Sequence, residues 1–188
     1  WTDSRYFLQA DEQLAESEIK LFKEGLPDTP SYTEWLTTVL PGQATVAIDG
    51  ELFPVTAVEA MQKVFAAQGL QLKNDFTPYE HIWKERPEIP QHPFFVHDLK
   101  YCGEDTASKV SRALDLTRRA GADALLLAAL DEIAWLFNIR GCDVHCNPVT
   151  IAYAYIDDER RILFIDERKI DAAGKAYLQE EGIESMPY

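Results

Sequence analysis

One short segment contains residue types that bind zinc. It runs from Cys142 to Cys146 and reads Cys-Asp-Val-His-Cys, so two thiols and an imidazole lie within five residues. Structural zinc sites use pairs of such ligands, but no second pair follows downstream, and His81, His92 and His97 are dispersed along the chain. The spacing therefore favours a loop with free thiols, and we predict no metal ligands in this chain.

Patterns for nucleophilic or phosphate chemistry are also missing from the sequence. It contains no Gly-x-Ser-x-Gly elbow, no Cys in a protease signature and no Gly-rich loop before a helix. Its 32 carboxylates include adjacent ones, such as those at 157–159 and 180–181. Most such groups are solvated surface, so we predict no catalytic residue in this chain.

A charged residue lies among aromatic ones at the start of the chain. Residues 1–7 read WTDSRYF, and their β-forming types predict a strand over residues 2–8. Alternation along that strand would place Asp3, Arg5 and Phe7 on one face. Asp3 and Arg5 can form an ion pair there, and a guanidinium also suits recognition of carboxylates and carbonyls. The residues alone leave open whether Arg5 is structural or binds a ligand.

Composition excludes several classes of function. The 188 residues carry 18 Lys+Arg against 32 Asp+Glu, a net charge of −14. The chain has no basic run of the kind that nucleic acids or anionic membranes select, and its longest apolar stretch, residues 124–130, is too short to cross a bilayer. Three cysteines are typical of a reducing compartment, so we predict a cytoplasmic protein with no nucleic-acid or membrane partner. Because the chain starts at Trp1, we expect a longer parent protein.

Strand and helix patterns alternate, which predicts an α/β fold. Ser31 and Glu34 form a capping-box pattern at the start of a helix that ends at Pro41. The other elements predicted before residue 87 are strands at 2–8, 18–23, 44–48 and 70–72, and helices at 11–17 and 56–68. Three prolines within residues 87–93 exclude a helix or an inner strand, so this stretch is the predicted domain boundary.

The same alternation resumes after the boundary. The predicted elements are helices at 105–120, 130–138 and 169–181, and strands at 124–128, 150–156 and 161–165. The last two strands are expected to form a hairpin around residues 157–159. Asp131 is the predicted cap of the helix at 130–138, which is apolar nearly all round and should be buried on more than one side.

Four stretches of the sequence together resemble the Xaa-Pro aminopeptidases, also called aminopeptidase P, of the creatinase and prolidase group of metallopeptidases. They are WTDSRYFLQA at 1–10, DTPSYTEWL at 28–36, IWKERPEIP at 82–90 and LDEIAWLFNIRGCDVHCNPV at 130–149. The resemblance implies two creatinase-type α/β domains, each a mixed sheet flanked by helices, before a C-terminal catalytic domain of pita-bread fold. It assigns residues 1–86 to a truncated first domain, 87–93 to a linker and 94–188 to the second domain, and it leaves the catalytic domain outside the chain.

The resemblance also implies a function. Members of the family remove the N-terminal residue from peptides with proline in the second position, using two divalent metal ions, usually manganese, in the catalytic domain. The N-terminal domains are expected to narrow access to the site and to support a homodimer, with the catalytic domain and the peptide as partners. In this chain the resemblance indicates Arg5 as a peptide contact, although Ser4 replaces a common Gly; if that Gly needs a positive φ, Ser4 strains the turn. The alternative is a free-standing creatinase-like interaction module without peptidase activity.

Overall fold

The structure is a computed structural model that describes residues 1–79 and 81–188 with their side chains and Glu80 by its backbone. The chain divides into two compact units, residues 1–86 and residues 87–188. We describe each unit by itself. Both combine short strands with helices, which confirms the predicted α/β fold class.

The first unit is built around one long helix and a pair of short strands. Strands β1 and β2 are parallel, with Val46 opposite Leu72. Ser31 and Glu34 form the predicted capping box at the start of α2. The core of the unit consists of the buried side chains Met61, Phe65 and Leu70, with partly buried neighbours around them. The helices and strands are α1 (Phe7–Leu14), α2 (Tyr32–Val39), β1 (Thr45–Ala47), α3 (Val55–Ala67), β2 (Gln71–Lys73) and α4 (Tyr79–Ile82).

The first residues of the chain differ from the prediction. The strand expected over residues 2–8 is wrong: a 3-10 turn at Ser4–Tyr6 leads directly into α1. The cause is the side chain of Asp3, which accepts a hydrogen bond from the backbone N–H of Arg5 and so caps a helical turn. The strand predicted over 18–23 is also wrong, because this segment pairs only through an isolated bridge between Thr2 and Lys23.

The second unit contains two sheets and four helices. A four-stranded sheet has the order β4-β6-β7-β8, in which only β7 and β8 are parallel, and a separate antiparallel pair joins β3 to β5. Its elements are β3 (Phe95–Val96), α5 (Leu99–Cys102), α6 (Thr106–Arg119), β4 (Leu125–Leu127), α7 (Leu130–Leu136), β5 (Ile139–Arg140), β6 (Tyr153–Ile156), β7 (Arg161–Phe164), α8 (Ala172–Glu180) and β8 (Glu184–Met186).

Most predicted elements of this unit are present, with shifted ends. Asp131 is not the cap of α7, because the helix begins at Leu130 after Ala129, whose side chain makes no capping bond. Asp131 instead lies in the first turn of α7, where its negative charge interacts favourably with the positive end of the helix dipole. Helices α6, α7 and α8 pack through Val110, Ile133 and Leu178 against one face of the large sheet. None of the helices formed by the described residues has both the length and the apolar character of a membrane-spanning segment.

Candidate functional site

The predicted site residue, Arg5, lies in the 3-10 turn at the start of the first unit. Asp3 precedes the turn in an extended conformation and accepts the Arg5 backbone N–H at 3.0 Å. The guanidinium then folds back onto the same carboxylate: Nε donates to Oδ1 at 2.9 Å and Nη2 donates to Oδ2 at 2.8 Å. The ion pair of Asp3 and Arg5 is therefore present, but it forms across a helical turn and not along a strand.

This geometry leaves the outer edge of the guanidinium available. A guanidinium has five N–H donors, and Asp3 uses two of them, so three remain for another acceptor. The Arg5 side chain is 76% exposed, with its Cζ 5.5 Å from the centre of the Tyr6 ring. The hydrogen bond between the two side chains lowers the pKa of Asp3 and raises that of Arg5. Chemically, the site can hold a carboxylate or a carbonyl oxygen.

An aromatic cluster fixes the backbone beside this turn. Trp1 stacks on Phe22 with ring centres 4.2 Å apart and meets Trp35 edge-on at 5.4 Å. The indole N–H of Trp1 also donates to the carbonyl of Pro30 at 2.8 Å. Ser4 lies within the turn and is not one of the described residues with positive φ, so it does not strain the backbone here.

The second unit repeats the same turn. Asp166 precedes the 3-10 turn Glu167–Lys169 and accepts the backbone N–H of Arg168 at 3.0 Å, while the Arg168 guanidinium binds the carboxylate through Nε and Nη2. This hydrogen bonding lowers the pKa of Asp166 to about 2. Both turns have the sequence pattern Asp-x-Arg, in TDSR and IDER. Arg168 is therefore a matched control for substitutions of Arg5. Asp158-Glu159-Arg160 has the pattern too, but there Arg160 pairs with Asp157, so the pattern alone does not identify the turn.

The cysteine segment does not assemble as a metal site. Cys142 and Cys146 are exposed free thiols, while the Asp143 side chain points inward and is fully buried. Within the part of the chain that the structure describes, no three His, Cys, Asp or Glu residues come together as metal ligands. The resemblance implies metal ions in the catalytic domain and not in this segment.

Asp143 instead belongs to a buried ion pair that sequence reasoning missed. Its Oδ2 accepts from Lys169 Nζ at 2.6 Å, from the Ile151 backbone N–H at 2.6 Å and from Thr150 Oγ1 at 3.0 Å. Lys169 is 1% exposed, so the pair is shielded from water on both sides. The two residues are 26 positions apart, and no local pattern connects them. Their role is to join the loop after β5 to the turn before α8.

A second buried lysine, Lys109, stabilises the backbone at the end of α7. Lys109 on α6 donates to the Trp135 carbonyl at 2.8 Å and to Asn138 Oδ1 at 2.6 Å, and its ammonium lies 4.8 Å from the Trp135 ring centre. Burial lowers the pKa of Lys109. Asn138 has a φ of 49°, a conformation that Asn tolerates better than most residues, and its amide donates to the Glu104 carbonyl. These contacts hold the backbone around residues 104 and 135–138 in place.

The fold and the Asp3–Arg5 site define an α/β protein that presents an exposed guanidinium from one unit and has a well-packed core in the other. Residues 85–188 match the family described as the creatinase/prolidase N-terminal domain. This match covers more than half of the chain. The chain belongs to the creatinase/prolidase N-terminal domain family.

Individual relatives agree with this assignment. The chain is 40% identical over 191 residues to Aminopeptidase P2 of Arabidopsis thaliana, an alignment that covers 100% of this chain and 27% of that protein. It is 36% identical to a probable Xaa-Pro aminopeptidase P of Coprinopsis cinerea, covering 96% of this chain and 29% of that protein. The resemblance to Xaa-Pro aminopeptidases is thus confirmed.

A solved structure matches along the whole chain as well. It is the X-prolyl aminopeptidase of Caenorhabditis elegans, described as a cytosolic enzyme with a di-nuclear active site. The match has a TM-score of 0.88 and 31% sequence identity, and it covers 100% of this chain and 31% of that one. The chain therefore spans between 27% and 31% of the length of these relatives.

Proposed function

We propose that this chain is the non-catalytic N-terminal region of a metal-dependent Xaa-Pro aminopeptidase, which removes the residue before proline from the N-terminus of peptides. The observation that carries the proposal is the match of the entire chain, at a TM-score of 0.88, to about a third of the C. elegans X-prolyl aminopeptidase. Proline as the second residue lacks an N–H and fixes φ, which excludes such peptides from most extended binding modes. A dedicated enzyme is therefore required.

In this proposal each unit corresponds to one creatinase-type domain. Residues 1–86 are the later part of a first domain, residues 87–93 are a linker and residues 94–188 are the second domain. Two observations support the assignment: the division between the two units falls at the start of the proline-rich stretch, and the 3-10 turn with the sequence Asp-x-Arg occurs in each unit. The catalytic domain, of pita-bread fold, follows residue 188 and is the main partner of this region.

Arg5 is the residue of this chain that we assign to peptide binding. Its three remaining N–H donors are directed to solvent, where a peptide carbonyl or carboxylate can accept them. Asp3 already holds the guanidinium in one orientation, so less side-chain freedom is lost when the peptide binds. Arg5 thus orients substrate and takes no part in proton transfer.

The other features of the proposed enzyme follow from the family resemblance. Two divalent metal ions, of manganese as the resemblance implies, would be held by the catalytic domain, where they would supply Lewis-acid polarisation of the scissile carbonyl. This region narrows access to that site, so that short peptides enter, and supports a homodimer. The cytoplasm is the proposed location, in agreement with the cytosolic C. elegans enzyme.

A comparison of the full-length protein with the 188-residue chain tests the proposal. With Mn²⁺ present, the full-length protein should release the first residue of an Xaa-Pro peptide and not of a matched Xaa-Ala peptide, and a chelator should abolish the reaction. The 188-residue chain should release nothing. Turnover by the pure chain would contradict its non-catalytic role. A reading frame that ends at Tyr188 would favour a free-standing interaction module.

A further inference from the structure

The large sheet of the second unit has two faces with different surroundings. Strand register places Leu127, Ala154 and Leu163 side by side on one face. All three are buried, and they belong to the core that α6, α7 and α8 complete. This face is the inner side of a two-layer unit.

The opposite face, which we call the open face, is apolar apart from the exposed Glu184 on the edge strand β8. None of its side chains belongs to the buried core of this unit, as far as the described residues extend. Leu126 is 68% exposed, Tyr153 43% and Met186 37%, while Ile162 in the middle of the face is buried. The apolar residues that register places on the open face are Leu126, Tyr153, Tyr155, Ile162, Phe164 and Met186.

The last residues of the chain lie on this face. The ring of Tyr188 stacks on that of Tyr153, with ring centres 5.3 Å apart and an angle of 9° between the ring planes. Beside Tyr188 is a groove of about 520 Å³ whose walls include Ile151 and Pro187. Tyr188 lines this groove and also stacks on Tyr153, so the groove lies next to that end of the open face.

A sheet face of this kind is normally buried against another layer, and a continuous apolar surface marks an interaction site. We propose that the open face is the docking surface for the polypeptide that follows residue 188, that is, for the catalytic domain. This inference rests on the proposed function.

Two observations favour this occupant over a second copy of the chain. The relatives extend well beyond the matched region, which is 27% to 31% of their length, and the chain leaves the second unit at Tyr188 on the open face. The following segment therefore emerges beside the surface.

The edge of the open face indicates the chemistry of the partner surface. Tyr155 donates its hydroxyl hydrogen to Asp157 at 2.7 Å, and the Arg160 guanidinium lies 5.4 Å from the Tyr155 ring centre. This rim is polar, whereas Tyr153 and Met186 at the other end are apolar or aromatic. The partner surface should have an aliphatic and aromatic centre with polar groups along one side.

Methionine oxidation tests the inference directly, because the chain contains only two methionines. Met186 lies on the open face, and Met61 is buried in the first unit, so Met61 is a built-in control for folding. With dilute hydrogen peroxide and mass spectrometry, Met186 should oxidise readily in the 188-residue chain and at least about tenfold more slowly in the full-length protein. Met61 should react slowly in both.

Surface variants give a second measurement. Leu126→Glu should lower the melting temperature of the full-length protein but leave that of the 188-residue chain nearly unchanged, because only the former buries the face. Leu99→Glu, a matched change at an exposed leucine on α5, should have little effect in either protein. An equal Met186 oxidation rate in both proteins, or protection in the 188-residue chain that rises with its concentration, would overturn the inference.

The outcomes also separate this inference from the proposed function. Protection of Met186 in a full-length protein that does not cleave Xaa-Pro peptides would support the docking surface and remove the proposed function. Cleavage by a protein whose Met186 remains fully reactive would remove only the docking surface.

Discussion

The two units contain the same Asp-x-Arg turn, but they bury very different cores. In the first unit the turn precedes α1, and the core of the described residues has three buried apolar side chains, Met61, Phe65 and Leu70. In the second unit the turn precedes α8, next to a core of fifteen such residues and a buried ion pair. Because burial of apolar area dominates folding stability, the second unit should be the more stable one. The exposed turn in the first unit is then available for binding without a cost in packing.

The largest expected effect is a variant in which the first unit unfolds while the second unit stays folded. Phe65→Ala removes a fully buried ring from a three-residue core, a change that costs about 3–5 kcal/mol in typical cores. Amide hydrogen exchange should show loss of protection in α2 and α3 while α6 and β7 remain protected. Val64→Ala, at the half-exposed neighbouring position, is the control and should change little.

Equal loss of protection in both units of Phe65→Ala would show that they fold as one body. Unchanged protection in α3 would show that the small core does not hold the first unit together. Either result would break the contrast between the two units.

The next effect concerns the buried pair in the second unit. Lys169→Met leaves the Asp143 carboxylate buried without its cation, and removal of one partner of such a pair costs about 3–5 kcal/mol. Urea unfolding followed by circular dichroism measures this loss. Arg168→Ala, at the adjacent residue, is the matched control, because it removes only an exposed ion pair and should shift the midpoint little. Equal midpoints for the two variants would contradict the assigned role of the buried pair.

Some elements of the fold can be predicted from the sequence, and others cannot. Helices α2, α3 and α6 follow from local signals, such as the capping box at Ser31 and the apolar spacing around Phe65. Strands β3 and β5 are two residues long and exist only because Val96 pairs with Ile139 from a distant part of the chain. A two-residue strand has no periodicity to detect.

The same distinction applies to the site. The pairing of Asp3 with Arg5 was predicted because the residues are two positions apart, although β propensity suggested the wrong backbone for them. The cap that Asp3 provides outweighed that propensity. The pair of Asp143 and Lys169 could not be predicted, because it depends on how the loop after β5 meets the turn before α8.

A smaller effect is expected from acid at the turn between β6 and β7 in the second unit. The hydroxyl hydrogen bond from Tyr155, followed by the backbone N–H groups of Glu159 and Arg160, lowers the pKa of Asp157 from 3.8 to about 2. A carboxyl with a lowered pKa stabilises the fold above its unfolded pKa, and this contribution is lost as the pH falls through about 2. Stability should therefore decrease between about pH 4 and pH 2.

Asp157→Asn should weaken this acid dependence, since the amide does not titrate. The measurement is the urea midpoint of the second unit at several pH values from 5 to 2, with Asp158→Asn, the adjacent exposed carboxylate, as the comparison. Parallel pH profiles for the wild-type protein and Asp157→Asn would contradict the assignment of this dependence to the β6–β7 turn.

The central claim is that the chain serves an Xaa-Pro aminopeptidase and contacts the peptide through Arg5, and the repeated turn provides the most direct test. The measurement is kcat/KM on an Xaa-Pro peptide for the full-length protein and for its Arg5→Ala and Arg168→Ala variants, with the melting temperature of each. Loss of a charge-assisted hydrogen bond is worth about 1.5–3 kcal/mol, so Arg5→Ala should lower kcat/KM about 10- to 100-fold with little change in melting temperature. Arg168→Ala should leave kcat/KM unchanged. Equal kcat/KM for all three proteins, or a loss in Arg5→Ala that only follows its melting temperature, would contradict the claim.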